Sequence, residues 1–278
     1  MKKFLFAVIA ALTIVNTTNA RDFDKFSVSG GAELVANYNF RGINIGGFSL
    51  QPWVELSSNG VAVGAWGSIG SMPYSTEAFK TGNYELDVYL SYTTPLDIFT
   101  IKVTHLYYFN GSPYFDYSND CSSSTQTELE GKFRWEGLSV GVATQVGGGD
   151  CYSLYNKLYN NYYGDSLSLH FGDPGYKMWS TYLYVIYDWE IDDCLSWRGE
   201  IGLSPHRSQY TYYNANTGDH AKFALNNISS TFIFNHYSND IVSMYFLAEI
   251  HFNLFDVGYD KFKYGKNFGW NIGLGVEL

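Results

Sequence analysis

Charge is scarce in this chain, and positive charge is scarcer still. Only 16% of the 278 residues are charged, and 17 Lys and Arg stand against 27 Asp and Glu, a formal charge of −10. With no basic stripe, such a chain is poorly suited to nucleic acid. Beyond the first twenty residues there is no apolar run of roughly 18, which argues against a transmembrane helix. Cysteine is limited to Cys121, Cys151 and Cys194, with no histidine clustered beside them, so neither a metal site nor any other cofactor is expected. Linkers rich in Pro, Gly or Ser are missing, and one domain is the simplest organisation.

Aromatic residues, by contrast, make up 19% of the chain, with 25 tyrosines. Little charge with many aromatics suits a barrel in a bilayer, whose outer wall carries an apolar band between aromatic girdles. The final segment carries this pattern most clearly. Phe268, Trp270, Ile272, Leu274, Val276 and Leu278 share one face, while Gly269, Asn271, Gly273, Gly275 and Glu277 share the other. A strand of that kind has one side for lipid and one for a wet lumen. At the other end, Lys2 and Lys3 precede the apolar run Phe4 to Val15. Thr18-Asn19-Ala20 then supplies small residues before Arg21, which predicts a signal peptide over 1–20 and a single barrel domain over 21–278.

Period-two alternation bounded by turn residues predicts twelve strands, near 26–41, 48–57, 61–69, 84–93, 99–108, 126–135, 138–147, 180–189, 195–204, 227–235, 241–252 and 268–278. Connections after the even-numbered strands are tight, as at Ser57-Ser-Asn-Gly60 and Glu136-Gly137. Most others are long and rich in Tyr, Asn, Ser and Gly. The expected fold is therefore all-β: a transmembrane antiparallel up-and-down barrel of about twelve strands with short periplasmic turns and longer extracellular loops. The connection after strand one, near Gly42 to Gly47, is short for an outer loop. A weak alternation at Leu167, Leu169 and Phe171 is an extra strand or structure within the fourth loop. A soluble β-sandwich would have similar strands, but its outward faces are seldom this apolar.

Fixing the apolar face outward assigns the lumen. Strand one sends Phe26, Val28, Leu34, Tyr38 and Phe40 to lipid, and Glu33, Asn37, Asn39 and Arg41 inward. Gln51, Trp53, Glu55, Glu85, Asp87 and Lys102 follow on strands two, four and five. On strand six, Leu129, Phe133 and Trp135 alternate with Glu128, Glu130, Lys132 and Arg134. Arg198, Glu200, Glu249 and Glu277 complete the inward set. Arg or Lys at the bilayer midplane on the lipid face costs about 2–4 kcal/mol, which makes this segregation physically meaningful. Two readings of the mixed charges stand side by side: they pair across the lumen and plug it, or they line a conducting pore. A barrel of this size leaves a narrow channel, partly filled by side chains or by the fourth loop, with a mild preference for cations.

Cys121 precedes strand six and Cys151 follows strand seven. Through the turn at Glu136-Gly137, Cys151 falls opposite Ser122, one position from Cys121, so a Cys121–Cys151 disulfide is expected after a small bulge. Cys194, in a periplasmic turn, is left as a free thiol. The fourth loop carries Tyr152, Tyr155, Tyr159, Tyr162 and Tyr163 among Asn and Gly. That composition suits a sugar ligand and equally suits any exposed barrel loop.

The segment Ala32-Glu-Leu-Val-Ala-Asn-Tyr-Asn-Phe-Arg-Gly-Ile43 resembles the opening strand of the TorF-type porins, in which a strand ends in an aromatic-x-Phe-Arg-Gly-Ile-like sequence. Pro52, the run Gly60 to Ser68 and Glu85-Leu-Asp87 continue the likeness over roughly residues 30–95. The resemblance implies a barrel in the outer membrane of a Gram-negative bacterium, passing small solutes or ions, with lipids and the barrel-assembly machinery as partners and no catalytic residues. A rival comes from His236-Tyr-Ser-Asn239, which resembles the His-x-Ser-Asn element of outer-membrane lipid hydrolases. In this topology His236 and Ser238 fall in a periplasmic turn, the wrong end for that chemistry, and ordinary turn composition accounts for them. His206 and Ser208 lie at the outer end of strand nine with no partner acid evident. A third reading is a non-conducting barrel that anchors loops for adhesion or binding.

Overall fold

A computed structural model of the chain describes residues 26–71, 82–109, 113–117, 123, 125–150, 178–211, 213–214, 219–238, 242–252 and 268–278. Twelve of its strands form a closed antiparallel barrel. They are β1 (Ser27–Val35), β4 (Ser49–Ser58), β5 (Val61–Ser71), β6 (Gly82–Thr93), β7 (Phe99–Tyr108), β8 (Thr125–Trp135), β9 (Leu138–Gly148), β10 (Thr181–Asp192), β11 (Leu195–Ser204), β14 (Ala224–Ser238), β15 (Ser243–Phe252) and β16 (Gly269–Glu277). Each pairs with its neighbours in sequence, and β1 closes the ring by pairing with both β4 and β16. Two small hairpins stand apart from the wall: β2 (Tyr38–Phe40) with β3 (Ile43–Gly46), and β12 (Tyr213–Asn214) with β13 (Asp219–His220).

The turns follow from local chemistry. Asn59-Gly60 and Glu136-Gly137 hold positive φ at both positions (51° and 82°, 45° and 84°), the mirror-image turn whose twist matches flanking strands. The short turns between wall strands, among the described residues, lie at the end of the barrel that holds Phe26 and Leu278, and the longer connections leave from the opposite end.

The outer wall is apolar. Leu129 and Phe133 on β8, Val140 and Val142 on β9, and Ile272 and Leu274 on β16 are each more than 40% exposed, while the intervening Glu128, Ser139 and Asn271 are buried. Exposed aromatics mark both rims. Tyr92, Phe99, Trp135, Tyr187 and Trp189 stand near the short turns, and Phe48, Phe109, Trp179, Phe252 and Phe268 near the long loops. A ten-residue strand tilted by about 40° spans roughly 25 Å, the height of a lipid-facing band. Inside, tyrosines lie across glycines on adjacent strands: Tyr89 over Gly64, Tyr184 over Gly141 and Tyr245 over Gly275, where any Cβ would collide with the ring. These pairs let a narrow lumen hold large inward side chains.

The wall agrees with the alternation except in the first strand. An uninterrupted strand over 26–41 is not what forms: β1 stops at Val35, and the chain then bends into the lumen. Tyr38 and Phe40 therefore do not face lipid. Tyr38 is 7% exposed within the interior cluster, and Phe40 packs against that cluster. Arg41-Gly42 supplies the physical reason. Both residues take positive φ (53° and 77°) and close a two-residue hairpin between Phe40 and Ile43. The connection that reads as short is in fact a folded insertion over 36–48. The expected signal peptide over 1–20, Cys121, Cys151 and the tyrosine-rich segment of the fourth loop, with Leu167, Leu169 and Phe171, lie outside the described residues.

Candidate functional site: the plugged lumen

The β2–β3 hairpin fills the loop-end half of the lumen. Its apolar side chains, Tyr38, Ile43 and Ile45, meet Leu106, Tyr108, Tyr182, Tyr184 and Tyr210 in one buried cluster. Ile45 and Tyr210 are wholly buried. Burial of these groups favours the inward position. The base of the hairpin is tied to the wall through backbone and amide. Ala36 N–H donates to Ile272 C=O at 2.9 Å, and Asn37 N–H to Asn271 Oδ1 at 3.1 Å.

At the tip, Arg41 reaches across to β8. Its guanidinium donates to both carboxylate oxygens of Glu128, at 2.6 and 2.7 Å, and to the Tyr210 hydroxyl at 2.5 Å. The rings of Phe40, Tyr182 and Tyr210 surround it, with centroids 4.6–5.0 Å from the guanidinium carbon. Only 10% of the Arg41 side chain and 8% of Glu128 is exposed. A fork-shaped cation held by two parallel charge-assisted bonds in a poorly hydrated setting is strongly placed. A polar cradle holds the partners. Gln145 donates to Glu128 at 3.0 Å and to Tyr210 at 3.1 Å, Gln209 donates to Tyr210 at 3.1 Å, and Gln126 donates to Gln209 Oε1 at 2.9 Å. Burial pushes the Tyr210 phenol up to about 12, so it remains neutral. A second tether runs from the Tyr38 hydroxyl to Glu85 at 2.9 Å.

Below the plug, toward the short turns, the lumen opens into two polar chambers. One, of about 820 Å³, is bordered by Trp53, Glu55, Asp87, Lys102, Glu130 and Lys132. The other, of about 520 Å³, is bordered by Glu33, Asn37, Asn39, Arg198, Glu200, Glu249 and Glu277, with Arg41 at its edge. Lys102 pairs with Glu130 at 2.8 Å, and Arg198 with Asp188 at 2.6 Å. Glu200 accepts from Tyr182 at 2.7 Å, and Tyr245 donates to Glu33.

Of the residues assigned inward from sequence, Glu85 and Glu128 thus anchor the plug. Asn37, Asn39 and Arg41 reach the interior from the hairpin instead of from a wall strand. Arg134 stands exposed at the turn end of β8, outside both chambers. Among the described residues the first loop fills the lumen together with wall side chains, and the fourth loop, which the sequence also offered as a filler, lies outside them. Sequence reasoning missed Tyr210, Gln126, Gln145 and Gln209, whose role arises only where distant strands meet. Phe40-Arg-Gly-Ile43 reads from sequence as the end of strand one, and the structure makes it a hairpin turn. Cys194 is a free, exposed thiol at the β10–β11 turn, and no group of three or more His, Cys, Asp or Glu among the described residues has metal-site geometry.

A family model described as a bacterial protein of unknown function, Gcw_chp, matches residues 19–181. The chain belongs to the Gcw_chp family. The matched region includes the whole stretch that resembles the TorF-type porins, and within it the plug hairpin and Glu128. No curated protein matches the chain. Among solved structures, this Gcw_chp protein is similar to the COG4313 outer membrane channel from Pseudomonas putida F1, with 10% identity, TM-score 0.45, and 94% of this chain and 98% of that one covered. It is also similar to the KdgM porin, with 9% identity, TM-score 0.42, and 90% and 97% covered. The outer membrane phospholipase A of Escherichia coli, an active-site mutant, follows with 12% identity, TM-score 0.37, and 96% of each chain covered. Likenesses this distant, spanning channels and a hydrolase alike, do not assign a function to the Gcw_chp barrel.

Proposed function

We propose that this Gcw_chp protein is an outer-membrane channel of a Gram-negative bacterium, passing small solutes or ions through a narrow and mildly acidic lumen. The observation that carries this reading is the pairing of an apolar outer belt with two polar chambers enclosed by one ring of strands. A barrel that served only to anchor loops would have no need of polar interior volume. In the smaller chamber, Glu33, Glu200, Glu249 and Glu277 face a lumen whose cations, Arg41 and Arg198, are already matched by Glu128 and Asp188. These carboxylates, none of them paired with an Arg or Lys among the described residues, favour cations through the field they set up in a low-dielectric wall. Outer-membrane lipids and, during insertion, the barrel-assembly machinery are the partners this reading requires.

The chain is not read as an enzyme. His236 sits exposed at a bulge near the end of β14, and Ser238 pairs with Ser243 beside the short turn. A hydrolase of the outer leaflet needs its nucleophile at the other rim. The test is conduction by purified protein in planar bilayers under a salt gradient, beside ester hydrolysis in mixed micelles. Cation-selective current without hydrolysis supports the reading. Anion-selective current refutes the acidic lumen, and hydrolysis abolished by Ser238→Ala refutes the channel assignment.

A further inference from the structure

We propose that the hairpin over residues 36–48 is a gate, seated in this structure, and that the Arg41–Glu128 pair is its latch. The proposal rests on the channel reading and adds its regulation. Three observations carry it. First, β2 and β3 pair only with each other and take no part in the barrel ladder, so the hairpin can leave the lumen without opening that ladder. Secondly, its tip carries an arginine whose bidentate bond to Glu128 spans the lumen from the β1–β4 connection to β8. Thirdly, the seated state is internally opposed. The buried amide of Asn39 has no hydrogen-bond partner on either atom among the described residues, and Asn44 Oδ1 is likewise without one. Buried polar atoms of this kind favour release to water, while Ile43, Ile45 and Tyr38 favour burial. Two opposed terms on one small element, with a charge pair deciding between them, are the makings of a two-state device.

Gly42 offers an independent handle. Its φ is +77°, and a Cβ there would run into the backbone carbonyl of Asn226 on β14. Gly42→Val therefore blocks seating while leaving Arg41, Glu128 and every wall residue in place.

The experiment is single-channel recording of the full purified chain in planar bilayers. The parent is compared with Glu128→Gln, Gly42→Val and a variant whose residues 38–46 are replaced by a short Gly-Ser link. Heat-modifiable migration on gels verifies that each barrel is folded. The expected result is a mostly closed parent, at least a tenfold rise in open probability for Glu128→Gln and Gly42→Val, and a permanently open link variant. A parent that conducts as freely as the link variant overturns the gate and leaves the channel standing. Silence from all four overturns the channel and the gate together. If Glu128→Gln fails to fold, Gly42→Val alone decides: unchanged open probability there refutes the gate.

Discussion

Removing either partner of the Arg41–Glu128 pair should loosen the hairpin far more than breaking any other ion pair of the lumen. The two side chains are 10% and 8% exposed, and their charge centres lie about 4 Å apart in the bidentate geometry. At an effective dielectric of about 20 their attraction is about 4 kcal/mol. Truncating one partner of a buried pair typically costs about 3–5 kcal/mol, because the other is left charged and dry. The three rings around Arg41 offset a small part of this when Glu128 is removed, about 1 kcal/mol in all. A coupling energy of about 3 kcal/mol between the sites is the balance, or roughly a hundredfold in the ratio of seated to released hairpin. The assay is a double-mutant cycle with Arg41→Ala, Glu128→Ala and the double variant, read by amide hydrogen exchange of the peptide spanning 38–46. Arg198–Asp188 is the internal control: at 50% and 34% exposed it should couple by about 0.2–1 kcal/mol. A coupling at Arg41–Glu128 no larger than that of the control would refute the argument that burial strengthens this contact.

Three further outcomes are expected. Val140→Arg, on the lipid face of β9, should destabilise the barrel by about 2–4 kcal/mol in urea unfolding from vesicles, whereas Glu130→Gln on the inner face of β8 should cost much less. Gly141→Val should cost about 1–3 kcal/mol or more, because its side chain would occupy the space of the Tyr184 ring, and Tyr184→Ser in the same chain should recover part of that loss. Non-reducing peptide mapping should recover Cys121 joined to Cys151, with Cys194 alone labelled by a maleimide; two labelled positions besides Cys194 would refute the pairing.

Period-two alternation settles most of the wall from sequence alone. A one-residue slip would turn every Leu129, Phe133 and Trp135 inward and every Glu128 and Glu130 into lipid, so the register has little freedom. The expected bounds of 99–108 and 195–204 coincide with β7 and β11 for the same reason. Hairpin turns such as Asn59-Gly60 were equally local, decided by the few residues that tolerate positive φ.

The first loop shows where local pattern stops. In Leu34 to Phe40 the alternation continues unbroken, so sequence alone extends the strand outward, yet the same apolar residues are buried as well by the interior of the barrel as by lipid. Which alternative wins depends on what lies across the lumen: Tyr108, Tyr182 and Tyr210 for Tyr38 and Ile45, and Glu128 for Arg41. Those partners are separated from the hairpin by scores of residues and meet it only once the ring closes. Sequence therefore determined the barrel, its polarity and its charge, because hydrogen bonding and transfer from water act on each strand in turn. Tertiary structure alone decided that the lumen is stoppered, because a contact across a closed ring has no signature along the chain.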